Sequence, residues 1–142
     1  MTEYRGGCHC GLVRLTYRTA VEPARWPLRH DGCSFCHKHG VVATSDPTAE
    51  VVFAFVDGAR ERRYRFGTRT ADFLICSECG VFVAAVTETA GGPRAVINAR
   101  ALSGVTLDLG RVTVVSLEGE SAEARQARRA RNWTPVRNWP RG

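Results

Sequence analysis

A mainly β domain of antiparallel strands, closed by one short C-terminal helix, is the fold class this chain predicts, and three features of the sequence point to it. Its apolar runs are short, rich in Val, Ile, Phe and Tyr, and separated by turn residues. Asp57-Gly58 and Gly91-Gly92-Pro93 mark sharp turns between them. Only one stretch, near the C-terminus, carries helix start and stop signals.

Residues 13–17 set Val13, Leu15 and Tyr17 on one side and Arg14 and Thr16 on the other, the two-residue period of a half-buried strand. Residues 51–56 follow as an almost continuous apolar run, and the Asp57-Gly58 turn leads into a strand at 62–66. Residues 72–76 and 81–86 flank Ser77-Glu78-Cys79-Gly80 and are expected to form a hairpin around it. Strands at 95–99 and 111–117, both rich in β-branched residues, complete the set. In the helix Ser121 is placed to cap, Glu123 stands in the first turn and arginines crowd the last, which suits the helix dipole; the helix must end before Pro135. Beyond it, Trp133 and Trp139 are expected to dock back onto the domain, since exposing them with Pro135 and Pro140 would leave large apolar surfaces in water.

A length of 142 residues with 44% hydrophobic content sets one domain over 1–142, long enough for a real core. No apolar run approaches the length of a membrane span, and the basic, glycine-rich N-terminus shows no secretory signal, so a soluble cytoplasmic protein is expected. The net charge of +6 and pI near 9.4 invite a nucleic-acid partner. Lys38 is the only lysine, however, and the basicity is arginine spread through an Ala/Arg/Gly-rich chain. The groups Arg60, Arg62, Arg63, Arg65 and Arg125, Arg128, Arg129, Arg131 are expected to form solvated faces, and nucleic acid is not the expected partner.

The six cysteines fall in three tight pairs, Cys8/Cys10, Cys33/Cys36 and Cys76/Cys79, with all four histidines in or beside them. Two short pairs joined across a long stretch of chain are what a tetrahedral zinc site uses, because each turn supplies two thiolates from one loop. Cys8, Cys10, Cys76 and Cys79 form such a set, each pair followed by a glycine that lets the backbone aim amides at sulfur. A disulfide framework is the alternative, although cysteines one residue apart cannot easily bridge each other. Free thiols are the third.

The middle pair sits in His30-Asp31-Gly32-Cys33-Ser34-Phe35-Cys36-His37-Lys38-His39. Asp31, Cys33 and Cys36 could present one carboxylate and two thiolates to a second zinc, leaving a fourth position open for chemistry. His30, His37 or His39 could take the place of Asp31. Rival readings are a haem attachment motif in Cys33-Ser34-Phe35-Cys36-His37, a thioredoxin-like redox pair, and plain loop thiols.

Gly7-Cys8-His9-Cys10-Gly11, then Cys33-Ser34-Phe35-Cys36-His37-Lys38, then Cys76-Ser77-Glu78-Cys79-Gly80, in this order, resemble the glutathione-dependent formaldehyde-activating enzymes and the related centromere protein V domain. Ala95-Val96-Ile97-Asn98-Ala99-Arg100 and the Arg-rich helix before Asn132-Trp133-Thr134-Pro135 extend the likeness over nearly the whole chain. The resemblance implies a β-tent with a structural zinc on Cys8, Cys10, Cys76 and Cys79 and a second zinc at the middle loop, where the family carries three cysteines and this chain has Asp31, Cys33 and Cys36. It further implies a carbon–sulfur lyase that handles the adduct of glutathione, or another small thiol, with formaldehyde, with Asp31, Cys33 and Cys36 as the catalytic metal loop and arginines such as Arg69 and Arg100 gripping carboxylates. The contrasting expectation is a non-catalytic, zinc-stabilised binding module for nucleic acid or a protein partner.

Overall fold

In the computed structural model, residues 1–56, 61–117 and 119–139 are described. The Asp57-Gly58 turn, Arg60 and Pro140 lie outside the described residues. Alternation decides how the first sheet faces. In β2 (Val13–Thr19), Val13, Leu15, Tyr17 and Thr19 are buried and Arg14 is exposed. β2 pairs antiparallel with β1 (Thr2–Gly7) on one side and with β5 (Glu50–Phe55) on the other.

The second sheet runs β10-β3-β4-β9-β8-β7-β6, with β11 alongside β9. Its strands are β3 (Arg29–Asp31), β4 (Ala43–Thr44), β6 (Glu61–Tyr64), β7 (Asp72–Cys76), β8 (Phe82–Thr89), β9 (Gly92–Asn98), β10 (Thr113–Val115) and β11 (Thr134–Pro135). β8 lies near the middle and is buried from Phe82 to Thr87, which explains its unbroken apolar sequence. Its pairing skips one residue: Leu74 faces Ala84 and Ile75 faces Phe82, so Val83 is the extra residue of a β-bulge. Val83, Ala84 and Val86 join Val13, Leu15, Tyr17, Val51, Phe53 and Leu74 in the core between the sheets. Phe82 and Ala85 face the opposite side, with Cys36, Val41, Ala71 and Trp133.

Two helices cover that second side. α2 (Ala122–Asn132) is the expected C-terminal helix, capped by Ser121, whose Oγ accepts from the Ala124 amide at 3.1 Å. α1 (Ser34–His39) lies in the middle cysteine loop, where no helix was expected; its six residues carry no apolar period. Packing holds it instead, since the Phe35 ring meets Phe73 at 4.8 Å, Phe82 at 5.1 Å and Phe66 at 5.5 Å.

The expected strands at 13–17, 51–56, 62–66, 72–76, 81–86, 95–99 and 111–117 all appear, with shifted ends. β1, β3, β4 and β11 were not expected. The pair β3/β10 is parallel, a departure from the all-antiparallel expectation. The 91–93 turn tightens to Ala90-Gly91, and Pro93 sits inside β9 opposite Glu88. The tail docks as expected. Asn138 clips the Phe53 backbone by accepting from its amide at 3.0 Å and donating to its carbonyl at 2.8 Å. Trp139 packs on Phe53 at 5.4 Å beneath the Arg63 guanidinium. No helix among the described residues is long and apolar enough to cross a membrane.

Gly7 ends β1 at φ 142°, and a Cβ there would run into the Val13 carbonyl oxygen. Gly7→Ala is expected to destabilise the domain by about 1–3 kcal/mol, read as a lower urea midpoint, and to displace the adjoining Cys8. An unchanged midpoint would show that this turn can relax.

Candidate metal centres

The first cluster joins the two sheets. Cys8 and Cys10 lie in the β1–β2 connection, while Cys76 ends β7 and Cys79 lies in the connection to β8. Backbone geometry sets both turns. The Cys8 amide donates to the Val13 carbonyl at 2.8 Å, and the Val13 amide donates to the Cys8 sulfur at 3.2 Å. On the other side the Cys76 amide reaches the Val81 carbonyl at 3.1 Å and the Gly80 amide reaches the Cys76 carbonyl at 2.9 Å, with Gly80 at φ 77°.

All four Sγ atoms lie within 4.8 Å of one another, with Cys8–Cys10 at 3.7 Å and Cys10–Cys76 at 3.5 Å. A disulfide needs about 2 Å, and all six cysteines are free thiols. Crowding splits the protons unevenly. The Leu12 amide pulls Cys10 down, but desolvation and hydrogen bonding with Cys76, Cys8 and Cys79 carry it up to about 12. For Cys79, desolvation is outweighed by donors at Cys10, Val81 and Cys76, and its thiol falls to about 6. Such a set gathers negative charge that a cation would neutralise, so these four residues could hold a metal ion.

Asp31, Cys33 and Cys36 form the second cluster, their donor atoms also within 4.8 Å. Asp31 ends β3 and accepts the Cys33 amide at 3.0 Å. Cys33 is the N-cap of α1, its sulfur accepting from the Cys36 amide at 3.3 Å, and Gly40 closes the helix at φ 62°. The Cys36 thiol donates to the Cys33 sulfur, which lowers Cys33 to about 7 and pushes Cys36 strongly up. No histidine joins either cluster among the described residues. His30 instead bonds the Val41 carbonyl through Nδ1 at 2.9 Å, and His37 and His39 are exposed.

Asp31, Cys33 and Cys36 line a cavity of about 470 Å³, a volume suited to a small organic ligand. None of the other four cysteines lines it. Phe66, Phe73, Phe82 and Trp133 supply aromatic wall, and Arg29, Arg125, Arg128 and Arg129 supply positive charge. Arg125 and Arg128 both clamp Glu120, at 3.3 and 3.0 Å, and hold its carboxyl below the ordinary range. Burial lowers Arg29, and burial with the charges of Arg125 and Arg128 lowers Arg129 to about 10.

These arginines correct two expectations. Arg69 and Arg100 do not line the cavity: Arg69 sits in an exposed turn at φ 56°, and Arg100 is exposed beyond β9. Arg125, Arg128 and Arg129 are not a solvated face, whereas Arg131 is exposed. Positions 125, 128, 129 and 132 recur at helical spacing and so share one side of α2, a signal present in the sequence. In the earlier group, Arg62 is exposed and Arg65 pairs with Asp72 at 2.7 Å.

No protein-family model matches the chain. A crystal structure of a Rhodobacter sphaeroides protein from the Northeast Structural Genomics effort is similar, with a TM-score of 0.58 and 29% sequence identity over 78% of this chain and 99% of that one.

In metal-free protein, alkylation of Cys33 is expected to follow a titration midpoint near pH 7, rather than the roughly 8.5 of an ordinary thiol. Thiolate is the reactive form, so labelling falls as pH drops through that midpoint. Peptide mass spectrometry after brief iodoacetamide treatment checks it, and a midpoint at or above that of a free thiol contradicts it.

Proposed function

We propose that the chain is a zinc-dependent enzyme of the formaldehyde-activating type, which joins a small thiol such as glutathione to formaldehyde or a related aldehyde and cleaves the same carbon–sulfur bond in reverse. One observation carries this: a three-donor cluster opens onto a cavity, while the four-donor cluster stands apart from it. A closed set of four is the pattern of a structural site, and a set of three is the pattern of a site that accepts a substrate atom.

The donors fit zinc. Four thiolates at about 2.3 Å from one ion lie about 3.8 Å from each other in a tetrahedron, close to the 3.5 and 3.7 Å separations of Cys10–Cys76 and Cys8–Cys10. At the second cluster Asp31 brings the same single negative charge as a thiolate, so the cation would meet the same formal charge as with three cysteines. Zinc held there supplies Lewis acidity that keeps a substrate thiol ionised at neutral pH.

Asp31, Cys33 and Cys36 would hold the ion at the wall of the cavity. Phe66, Phe73, Phe82 and Trp133 exclude water from the reacting atoms, and the arginines draw anionic substrates inward. The reaction is an addition. Sulfur donates an electron pair to the carbonyl carbon, the carbon–sulfur bond forms as the carbonyl π bond breaks, and the oxygen takes up the proton that the thiol releases. No oxidant is needed. A basic nucleic-acid-binding face is disfavoured because Arg125 and Arg128 both engage Glu120 and turn to the cavity wall, where Arg129 is buried.

With zinc, glutathione and formaldehyde supplied, adduct formation followed by NMR is expected to exceed the spontaneous rate and to fall back towards it in Cys33→Ser, a loss of at least about tenfold. Equal rates with and without protein would rule out the enzyme.

A further inference from the structure

We propose that the cavity selects a ligand with one carboxylate head and an apolar body, and that Arg29 and Arg129 are the residues that recognise the head. This rests on taking the cavity as the substrate site, and it narrows the preferred thiol or aldehyde to an apolar acid, with a peptide thiol such as glutathione the poorer substrate.

The four arginines on the wall are of two kinds. Arg125 and Arg128 share the carboxylate of Glu120 as an ion-pair partner. Arg29 and Arg129 have no such partner: among the described residues no carboxylate lies within ion-pair distance of either. Arg29 donates to the Ser45 hydroxyl at 2.8 Å. Arg129 is 7% exposed; its Nη1 donates to Thr70 at 2.8 Å and to the Gln126 side-chain oxygen at 2.7 Å, and its guanidinium lies 4.9 Å from the Trp133 ring. Its buried Nε donates to nothing. Asp31, the carboxylate on the same wall, is committed to the Cys33 amide and the metal cluster. A buried, charged guanidinium with no carboxylate at ion-pair distance is costly to maintain unless something anionic comes to it, and the cavity that Arg129 lines is where such an anion would stand.

The apolar part of the lining, beside the polar Ser45, Thr68, Thr70 and Asn132, sets the body. Phe66, Phe73, Phe82, Val96, Ile97 and Trp133 offer almost no hydrogen-bonding groups. Peptide amides pressed against them would lose their water partners without replacement, whereas an alkyl or aryl chain would gain by leaving water.

Calorimetric titration of the zinc-loaded full chain with 4-phenylbutyrate, 4-phenylbutyramide and acetate tests this without any thiol chemistry. The phenyl acid is expected to bind at least about tenfold more tightly than its amide, the range of a charge-assisted hydrogen bond, and more tightly than acetate. Arg29→Gln and Arg129→Gln are each expected to abolish the preference for acid over amide while amide binding persists. Should Arg129→Gln not fold, Arg129→Lys, which keeps the charge but moves the donors, is expected to weaken acid binding alone. Equal binding of acid and amide, no binding of either, or a preference untouched by both substitutions overturns the proposal. Adduct formation from glutathione without carboxylate binding overturns this inference and leaves the enzyme standing; carboxylate selection without adduct formation does the reverse.

Discussion

The structure depends on one contact, the meeting of four sulfurs from two sheets. Cys10 and Cys76 are 66 positions apart in sequence, yet their sulfurs stand 3.5 Å from each other. Closing so long a loop costs conformational entropy, and four thiols held so close repel once ionised. A bound cation would offset both, because its binding free energy becomes folding free energy. The sheets also share an apolar core, with bridges at Gly6–Leu102 and Val51–Val136. The sulfur cluster ties the β1–β2 connection to the hairpin of β7 and β8.

That hairpin is also the floor of the cavity. The bulge at Val83 lets β8 place Val83, Ala84 and Val86 towards the first sheet while Phe82 and Ala85 face the other way. Phe82 and Phe73 then receive Phe35, and Phe35 stands between Cys33 and Cys36. The position of the second cluster therefore follows from packing on the strands that the first cluster anchors. The clusters also differ in what surrounds them: one completes its own set of donors at a sheet junction, and the other shares a cavity with arginines and aromatic rings.

Much of this was legible in the sequence, and the failures have physical causes. The paired cysteines, with glycines after the outer two pairs and Asp31 before the middle one, revealed both clusters, since ligand spacing is a local property. The capped helix α2 and the double-buried strand β8 were legible for the same reason. α1 was not, because its stability comes from residues 66, 73 and 82 rather than from its own periodicity. β3 and β10 pair in parallel, a relation that no turn between them encodes. Charge misled most. A run of arginines reads as a wet surface, yet Arg129 is buried with its neighbours Arg125 and Arg128 on the cavity wall. Arg29, isolated in sequence, gave no signal at all.

The most direct test of two centres with different roles is the number of metal ions per chain, measured by native mass spectrometry on protein purified without chelator, beside a Cys33→Ser variant. Two zinc ions per chain, falling to one in the variant, is the result this account predicts. One ion in both proteins would leave only the cluster of Cys8, Cys10, Cys76 and Cys79 as a metal centre and would contradict a metal-dependent role for the cavity.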